Sequence, residues 1–368
     1  MQTVRIETRD SSLATIRDKI VAGERLTQAD GEALYASSDI LSIGKMADLV
    51  KRRKVGDDVY FIVNRHINHT NVCNNRCKFC AFSRDKDEKD AYTMNLDQVF
   101  EAAKSAKPLG ISELHIVGGL HPDLPWSYYL EMMRGLKKIM PEVHIQAFTA
   151  VEIDHFSKIS GLPVDEVLAE LKEAGLGSLP GGGAEIFSER AREAAWEKKI
   201  PGERWLDIMR TAHGLGIRSN ATMLYGHIET IGERVDHLIR LRELQDETGG
   251  FAAFIPLAFH PANTEMSSLA STTGFDDLKT LAIARLMLDN FDHIKAFWIM
   301  VGPKVAQVSL AFGVDDVDGT VVEEKITHFA GAETPEFIDK KELVRLVRET
   351  GNTPVERDTL YNVIRRYE

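Results

Sequence analysis

VYFIVNRHINHTNVCNNRCKFCAFSR, residues 59–84, is a strand-like run that opens into a loop of three thiols, Cys73, Cys77 and Cys80, spaced C-x-x-x-C-x-x-C. Residues 59–68 are rich in β-branched and aromatic side chains, which predicts a strand. The thiols follow it directly, at the strand end where α/β folds present their chemistry. They are the only three cysteines in 368 residues. A disulfide framework would scatter an even number along the chain, so these are ligands. Thiolates suit iron–sulfur clusters, and four cysteines normally complete a cubane. With no fourth, the loop predicts one [4Fe-4S] cluster with one iron left for an exogenous ligand. The competing reading is structural zinc, with His66 or His69 as a fourth ligand.

Working outward, short strand-like runs alternate with longer amphipathic stretches, the pattern of parallel β/α units. Strands are predicted at 59–68, 114–117, 144–149, 176–179, 218–224, 252–258, 295–300 and 318–321. About eight is the number that closes a TIM-like (β/α) barrel. Helices are predicted at 96–107, 127–139, 164–174, 188–197, 203–214, 232–247 and 276–290, several stopped by glycine as at Gly110, Gly175 and Gly216. Residues 12–54 read as helices covering one end of the fold, through Leu13, Ile16, Ile20, Val21, Leu34, Leu41, Ile43, Met46 and Leu49. The expected organisation is an N-terminal helical extension over 1–54, a barrel over 55–325 and a C-terminal segment packed on it over 326–368.

The formal net charge of −11 opposes an extended grip on nucleic acid. No stretch has the length of uncharged apolar residues that crosses a bilayer, and the N-terminus lacks a secretory core, so a cytoplasmic protein without membrane or nucleic-acid partners is expected. Locally, Lys51, Arg52, Arg53 and Lys54 read as a solvated face. Arg76, Lys78, Arg84 and Lys86 surround the thiols, where cations would offset cluster charge and help dock an acidic electron donor.

The amino and carboxylate groups of S-adenosylmethionine form the kind of chelate that fills an open iron, and electron transfer then cleaves the sulfonium to a 5′-deoxyadenosyl radical. C-N-N-R-C-K-F-C-A-F-S-R, with Phe79 before the third thiol, resembles the signature of the radical S-adenosylmethionine superfamily. INHTNVCNNRCKFCAFSR, VGGLHPDLP, SLPGGGAEIF, the segment 225–230 and PLAFHPANTEM together resemble the branch of futalosine-pathway menaquinone enzymes and deazaflavin synthases. SLPGGGAEIF, DGTVVEEKITH and TPVERDTLYNV look most like the aminofutalosine synthases, with the cyclic dehypoxanthine futalosine synthases as nearest relatives.

The resemblance implies that S-adenosylmethionine is consumed as a substrate and that its radical adds to the enol-ether double bond of 3-[(1-carboxyvinyl)oxy]benzoate. It also implies a low-potential electron donor such as flavodoxin or ferredoxin. A cyclase or deazaflavin synthase on the same scaffold, and a non-catalytic zinc- or cluster-binding module, are the other functions this sequence admits.

Candidate contacts follow. Phe79 would cover the cluster or touch adenine, and Gly118 and Gly119 would let backbone approach the methionine end. Thr149 and Glu152 would meet the ribose, Gly182 would form part of an anion nest ahead of a helix, and Tyr225 follows a strand. For the two substrate carboxylates, Arg65, His66, Asn68, Thr70, His227, His260 and Asn263 are available, His260 foremost.

Overall fold

The computed structural model describes residues 6–368. Its strands are β1 (Asp58–Ile62), β2 (Asn64–Ile67), β3 (Glu113–Ile116), β4 (His144–Ala147), β5 (Ser178–Leu179), β6 (Arg218–Tyr225), β7 (Phe251–Ala258), β8 (His293–Ile294), β9 (Asp316–Gly319), β10 (Thr353–Arg357) and β11 (Val363–Arg366). Seven of them, β2 to β8, form one parallel sheet in sequence order, curled as in a TIM-like barrel. The ladder therefore holds seven strands rather than eight. Residues 316–322 occupy the eighth position through isolated bridges, Lys295 to Asp316 on one side and Arg65 to Val322 on the other.

The run predicted as one strand over 59–68 is two. At Val63 the chain leaves one sheet for another: β1 pairs in parallel with β9 and β10, whereas β2 pairs with β3. Both halves are extended, so propensity cannot mark the break; only the partner changes. The run predicted as a strand at 295–300 instead carries β8 just before it and a short helix, Trp298–Val301, within it.

The second sheet has the order β11-β10-β1-β9. It takes strands from both sides of residue 326, so the expected boundary between barrel and C-terminal segment cuts through a hydrogen-bonded sheet.

Among the described residues three α-helices precede β1: α1 (Ala14–Ala22), α2 (Gln28–Ala36) and α3 (Ile40–Val55). Rather than capping an end, α2 packs on the helices Ile231–Thr248 and Gly274–Met287, and α3 packs on the latter. Val21 and Leu41 stand exposed, so the apolar stripe is narrower than the sequence spacing implies. Nor is the basic run a uniform solvated face. Lys51 is fully buried and donates to Asn352 Oδ1 at 2.7 Å, while Arg53 binds the carbonyls of Ile20 and Val21.

Strand parity separates core from cavity. Leu114, Ile116, Ile145, Ala147, Ala221, Met223 and Phe254 face outward and are buried with helix residues such as Val99, Leu136, Leu168, Ile208 and Leu238. The opposite phase, His66, His115, Gln146, Asn220, Thr222 and Ile255, lines the interior. The main apolar core is thus the layer between sheet and helices, while the barrel interior is mixed, with polar side chains from β2, β3, β4 and β6 facing apolar ones such as Ile255, Leu257, Phe259 and Met300. No helix among the described residues is long and apolar enough to cross a membrane.

Candidate active site

The barrel interior opens into a cavity of about 330 Å³, the size of a small-molecule site, lined by Cys73, Cys77 and Cys80 together with residues from all sides of the sheet. The thiol loop is laced to the segment after β3. Gly119 N–H donates to Thr70 O at 2.9 Å, and Asn74 N–H to Leu120 O at 3.1 Å. Cys73 N–H donates to Arg84 O at 3.0 Å, and Cys80 N–H closes a turn on Cys77 O at 3.0 Å. A Cβ at Gly119 would lie 2.2 Å from the Val72 carbonyl oxygen, so only glycine permits this approach.

The thiols fit a cluster. Burial pushes Cys77 up to about 12 and also raises Cys80, so these sulfurs ionise only against positive charge, which a metal centre supplies. The zinc reading loses its fourth ligand. His66 lies stacked on His115 with ring centroids 4.4 Å apart, and His69 is packed among the rings of Tyr128, Tyr129 and Phe148. Among the described residues no three imidazole, thiol or carboxylate side chains converge on a single-ion position.

The predicted contacts divide. Phe79 lines the cavity, edge-on to Trp196 at 5.5 Å, with the Lys199 ammonium 5.1 Å from its ring centre. Gly118 and Gly119 line it beside the thiols. Thr149 and Glu152 line it as well, but as a helix start: Thr149 caps the helix Ala150–Ser160, and Glu152 Oε2 accepts from Thr149 N–H at 2.7 Å and its hydroxyl at 2.9 Å. Glu152 Oε1 accepts from Gly118 N–H at 3.1 Å, which ties the backbone beside the thiols to the next β/α unit. Burial raises the Glu152 carboxyl to about 7. Gly182 lines the cavity, its carbonyl held by Trp205 Nε1 at 3.1 Å. The next helix starts only at Glu189, capped by Ser188, so it does not complete an anion nest at the glycines.

Tyr225 is on the outward phase of β6 and donates to Asp277 Oδ1 at 2.7 Å, away from the cavity. Arg65 fails for the same reason on β2: its guanidinium pairs with Glu323 at 2.5 Å behind the strand. Thr70 is spent on Tyr92 O and Thr93 Oγ1, His227 on Leu224 O and the Ile228 N–H, and Asn263 is exposed on Phe329 O. His66, Asn68 and His260 do line the cavity, and His260 Nε2 is 2.9 Å from the Met300 carbonyl that orients it.

The cations around the loop are largely neutralised by neighbours. Arg76 pairs with Glu88, Arg84 with Asp90 and Lys86 with Asp123. Lys78 is exposed, its ammonium on Ala194 O.

Sequence reasoning missed two ion pairs. Lys199 pairs with Glu185 beside Cys77 and Cys80; burial opposes its charge, but Glu185 and the thiols outweigh burial and hold the ammonium above its ordinary value. Lys295 pairs with Asp318 at 2.8 Å, both buried. Glu185 and Asp318 hold φ of +49° and +65°, strained backbone of the kind that clusters at functional sites. The inward phase of β3, β4 and β6 adds Glu113, His115, Gln146, Asn220 and Thr222. Parity along the strands is the signal that would have found them.

Residues 67–241 match the radical SAM superfamily, and residues 248–367 match the CofH/MqnC C-terminal region. The chain is 50% identical to an aminodeoxyfutalosine synthase of Thermus thermophilus over 98% of both chains. It is 48% identical to the Streptomyces coelicolor enzyme of that name, over 96% of this chain and 94% of that one. In fold it is similar to the crystal structure of methylornithine synthase, with a TM-score of 0.74 and 18% identity over 92% of this chain and 97% of that one. Three thiols at the mouth of the barrel and likeness along the full length place the chain in a single group: it belongs to the radical SAM superfamily, in the family that joins this barrel to a CofH/MqnC C-terminal region and includes the aminodeoxyfutalosine synthases.

Proposed function

We propose that this chain catalyses aminodeoxyfutalosine synthesis, joining the 5′-deoxyadenosyl group of S-adenosylmethionine to 3-[(1-carboxyvinyl)oxy]benzoate. The observation that carries this reading is the 50% identity over 98% of both chains to an enzyme of that name.

Cys73, Cys77 and Cys80 would hold the cluster, which when bound supplies one electron to the sulfonium of S-adenosylmethionine. The C5′–S bond breaks, methionine leaves, and C5′ bonds to the vinyl carbon. After rearrangement the carboxyl is lost as carbon dioxide, hydrated to bicarbonate, and the starting electron returns. The sum is redox-neutral: S-adenosylmethionine, the enol ether and water give 6-amino-6-deoxyfutalosine, methionine, bicarbonate and one proton.

The chain's own residues bind, orient and exclude water. Gly118 and Gly119 bring backbone against the methionine end, with Glu152 fixing Gly118 as a positioning residue. Phe79 shields the thiols, and Thr149 and Gly182 border the adenosyl side. His66, Asn68 and His260 offer polar contacts to the aryl substrate. A low-potential donor such as flavodoxin or ferredoxin would dock where Asn74 and Lys78 stand exposed on the thiol loop.

Anaerobic incubation of reconstituted protein with S-adenosylmethionine, reductant and the enol ether tests the proposal. The adenosylated, decarboxylated product is expected. 5′-Deoxyadenosine with no adduct would instead identify a cyclase.

A further inference from the structure

The cavity is poor in positive charge for a site that takes a dicarboxylate. Glu113, Glu152, Glu185, Asp318 and Glu324 line it, against two permanent cations among the described residues, Lys199 and Lys295. A carboxylate taken from water into such a space needs a cation or several aligned donors. Lys199 is committed beside the thiols to Glu185 and the face of Phe79. Lys295 is placed differently.

Its backbone N–H donates to Phe254 O at 2.9 Å, one residue past the Phe254–Ile294 pair, which sets it level with Ile255 and Thr222. Across the barrel, His66, His115 and Gln146 are in register with one another. This second row lies two residues, roughly 7 Å, below Asn68 and Val117 at the strand ends, beyond which the thiol loop begins, and the Lys295 charge reaches it, adding to burial in lowering the His66 and His115 imidazoles.

The ammonium of Lys295 has three N–H groups, of which one donates, to Asp318 Oδ1 at 2.8 Å. Asp318 is equally unfinished: its Oδ2 is buried without a hydrogen-bond partner, and its backbone is held at φ +65°. A buried pair this poorly satisfied does not stabilise a fold. It does keep an ammonium dry, oriented and ready for a second anion.

We infer that Lys295 anchors the ring carboxylate of the substrate, with Asp318 holding the ammonium in place between turnovers. This rests on the proposed function, and it names where that substrate's specificity lies. The ring carboxylate is at the end of the molecule opposite the vinyl carbon, so anchoring it in the deep layer turns the vinyl carbon toward the mouth and the thiol loop. The stacked, uncharged His66 and His115 provide a flat wall for the ring in the same layer.

The test uses the reconstituted enzyme with S-adenosylmethionine and two ethers, the enolpyruvyl benzoate and 2-phenoxyacrylate, which lacks only the ring carboxylate. Wild type is expected to favour the first by about 100-fold in kcat/KM, the scale for a lost buried charge pair. Lys295→Met should erase that preference by losing activity on the first ether alone, with the S-adenosylmethionine-induced change in the cluster's paramagnetic resonance retained. Asp318→Asn frees the ammonium and should lower KM for the benzoate. The double variant Lys295→Met/Asp318→Asn removes both buried charges, should fold as wild type, and should show the same lost preference. If wild type forms no adenosylated product, the functional reading fails. If wild type is active but does not discriminate, or if either lysine variant keeps the preference, the anchoring role is overturned.

Discussion

Replacing Gly119 with alanine should empty the thiol loop of its cluster while leaving the barrel folded. The added methyl would sit 2.2 Å from the Val72 carbonyl oxygen, 2.7 Å from its carbon and 3.0 Å from Cys73 Cβ. All three atoms belong to backbone or to a Cβ, so no rotamer change relieves the contact. Reaching van der Waals distance requires the loop and the segment after β3 to separate by roughly 1 Å. That shift strains two hydrogen bonds, Gly119 N–H to Thr70 O and Asn74 N–H to Leu120 O.

Overpacking and the weakened bonds together cost about 3 kcal/mol. A shift of that size at Cys73 also exceeds the few tenths of an ångström that metal–ligand distances tolerate. Iron and sulfide per chain after anaerobic reconstitution measure the outcome, with circular dichroism and thermal melting as controls for the fold. Gly214→Ala is the matched control. It lies in a helix with nothing within 4 Å of the added Cβ, and should be neutral or slightly stabilising. A Gly119→Ala protein that holds a full cluster and responds normally to S-adenosylmethionine would refute the close-approach argument.

Lys199→Met should destabilise by about 3–5 kcal/mol, because Glu185 is left buried and unpaired, and Lys199→Met/Glu185→Met should recover most of it; equal denaturation midpoints for wild type and the single variant would contradict this. Burial raises the Glu152 carboxyl from 4.5 to about 7, against the opposing bonds from Thr149 and Gly118. The folded state therefore holds this proton more tightly than the unfolded state. Its contribution is fully present below pH 4.5 and is lost as pH rises through about 7, on the order of 3 kcal/mol in all. The difference in stability between wild type and Glu152→Gln, followed by urea titration from pH 4.5 to 8, should move against wild type over that window, and a flat difference would speak against it. Tyr225→Phe should cost about 1–2 kcal/mol through Asp277 and leave kcat and KM unchanged; a changed KM would return Tyr225 to the site.

The thiol loop was legible because its spacing encodes coordination directly, whatever the fold around it. The side chains of the wall were harder to read for a specific reason. A strand end marks proximity to the cavity, whereas facing is decided by parity. Arg65 and Tyr225 are one residue out of phase with His66 and Leu224, which do line the cavity. Along β2, β3, β4 and β6 phase can be assigned only by knowing that the polar residues face the cavity, the reverse of a barrel packed with Val, Ile and Leu. Along β6 the polar residues Asn220 and Thr222 point in while Ala221 and Met223 point out. Lys199 and Glu185 carry no such signal, since they sit in loops where no period relates them. The break at Val63 was invisible because strand propensity describes a backbone conformation and says nothing of the neighbour it pairs with.

A ladder of seven strands leaves a gap between β8 and β2. Residues 316–322 bridge it by backbone bonds on both sides: Ala296 N–H to Asp316 O at 2.8 Å, and His66 N–H to Val322 O at 3.0 Å. Asn64 Oδ1 takes the Val321 N–H at 2.9 Å, Trp298 Nε1 donates to Gly319 O at 2.8 Å, and β9 is pinned from outside by β1. The bridging segment carries Asp318, and Lys295, which directly follows β8, pairs with it. The two matched regions thereby divide the cavity: the thiols, Gly118, Glu152 and Gly182 belong to the first, and Lys295, Asp318, Glu324 and Thr327 belong to the second. The cavity is thus built by both stretches, with the thiol loop in the first and Lys295 and Asp318 in the second, meeting at the seam that residues 316–322 close.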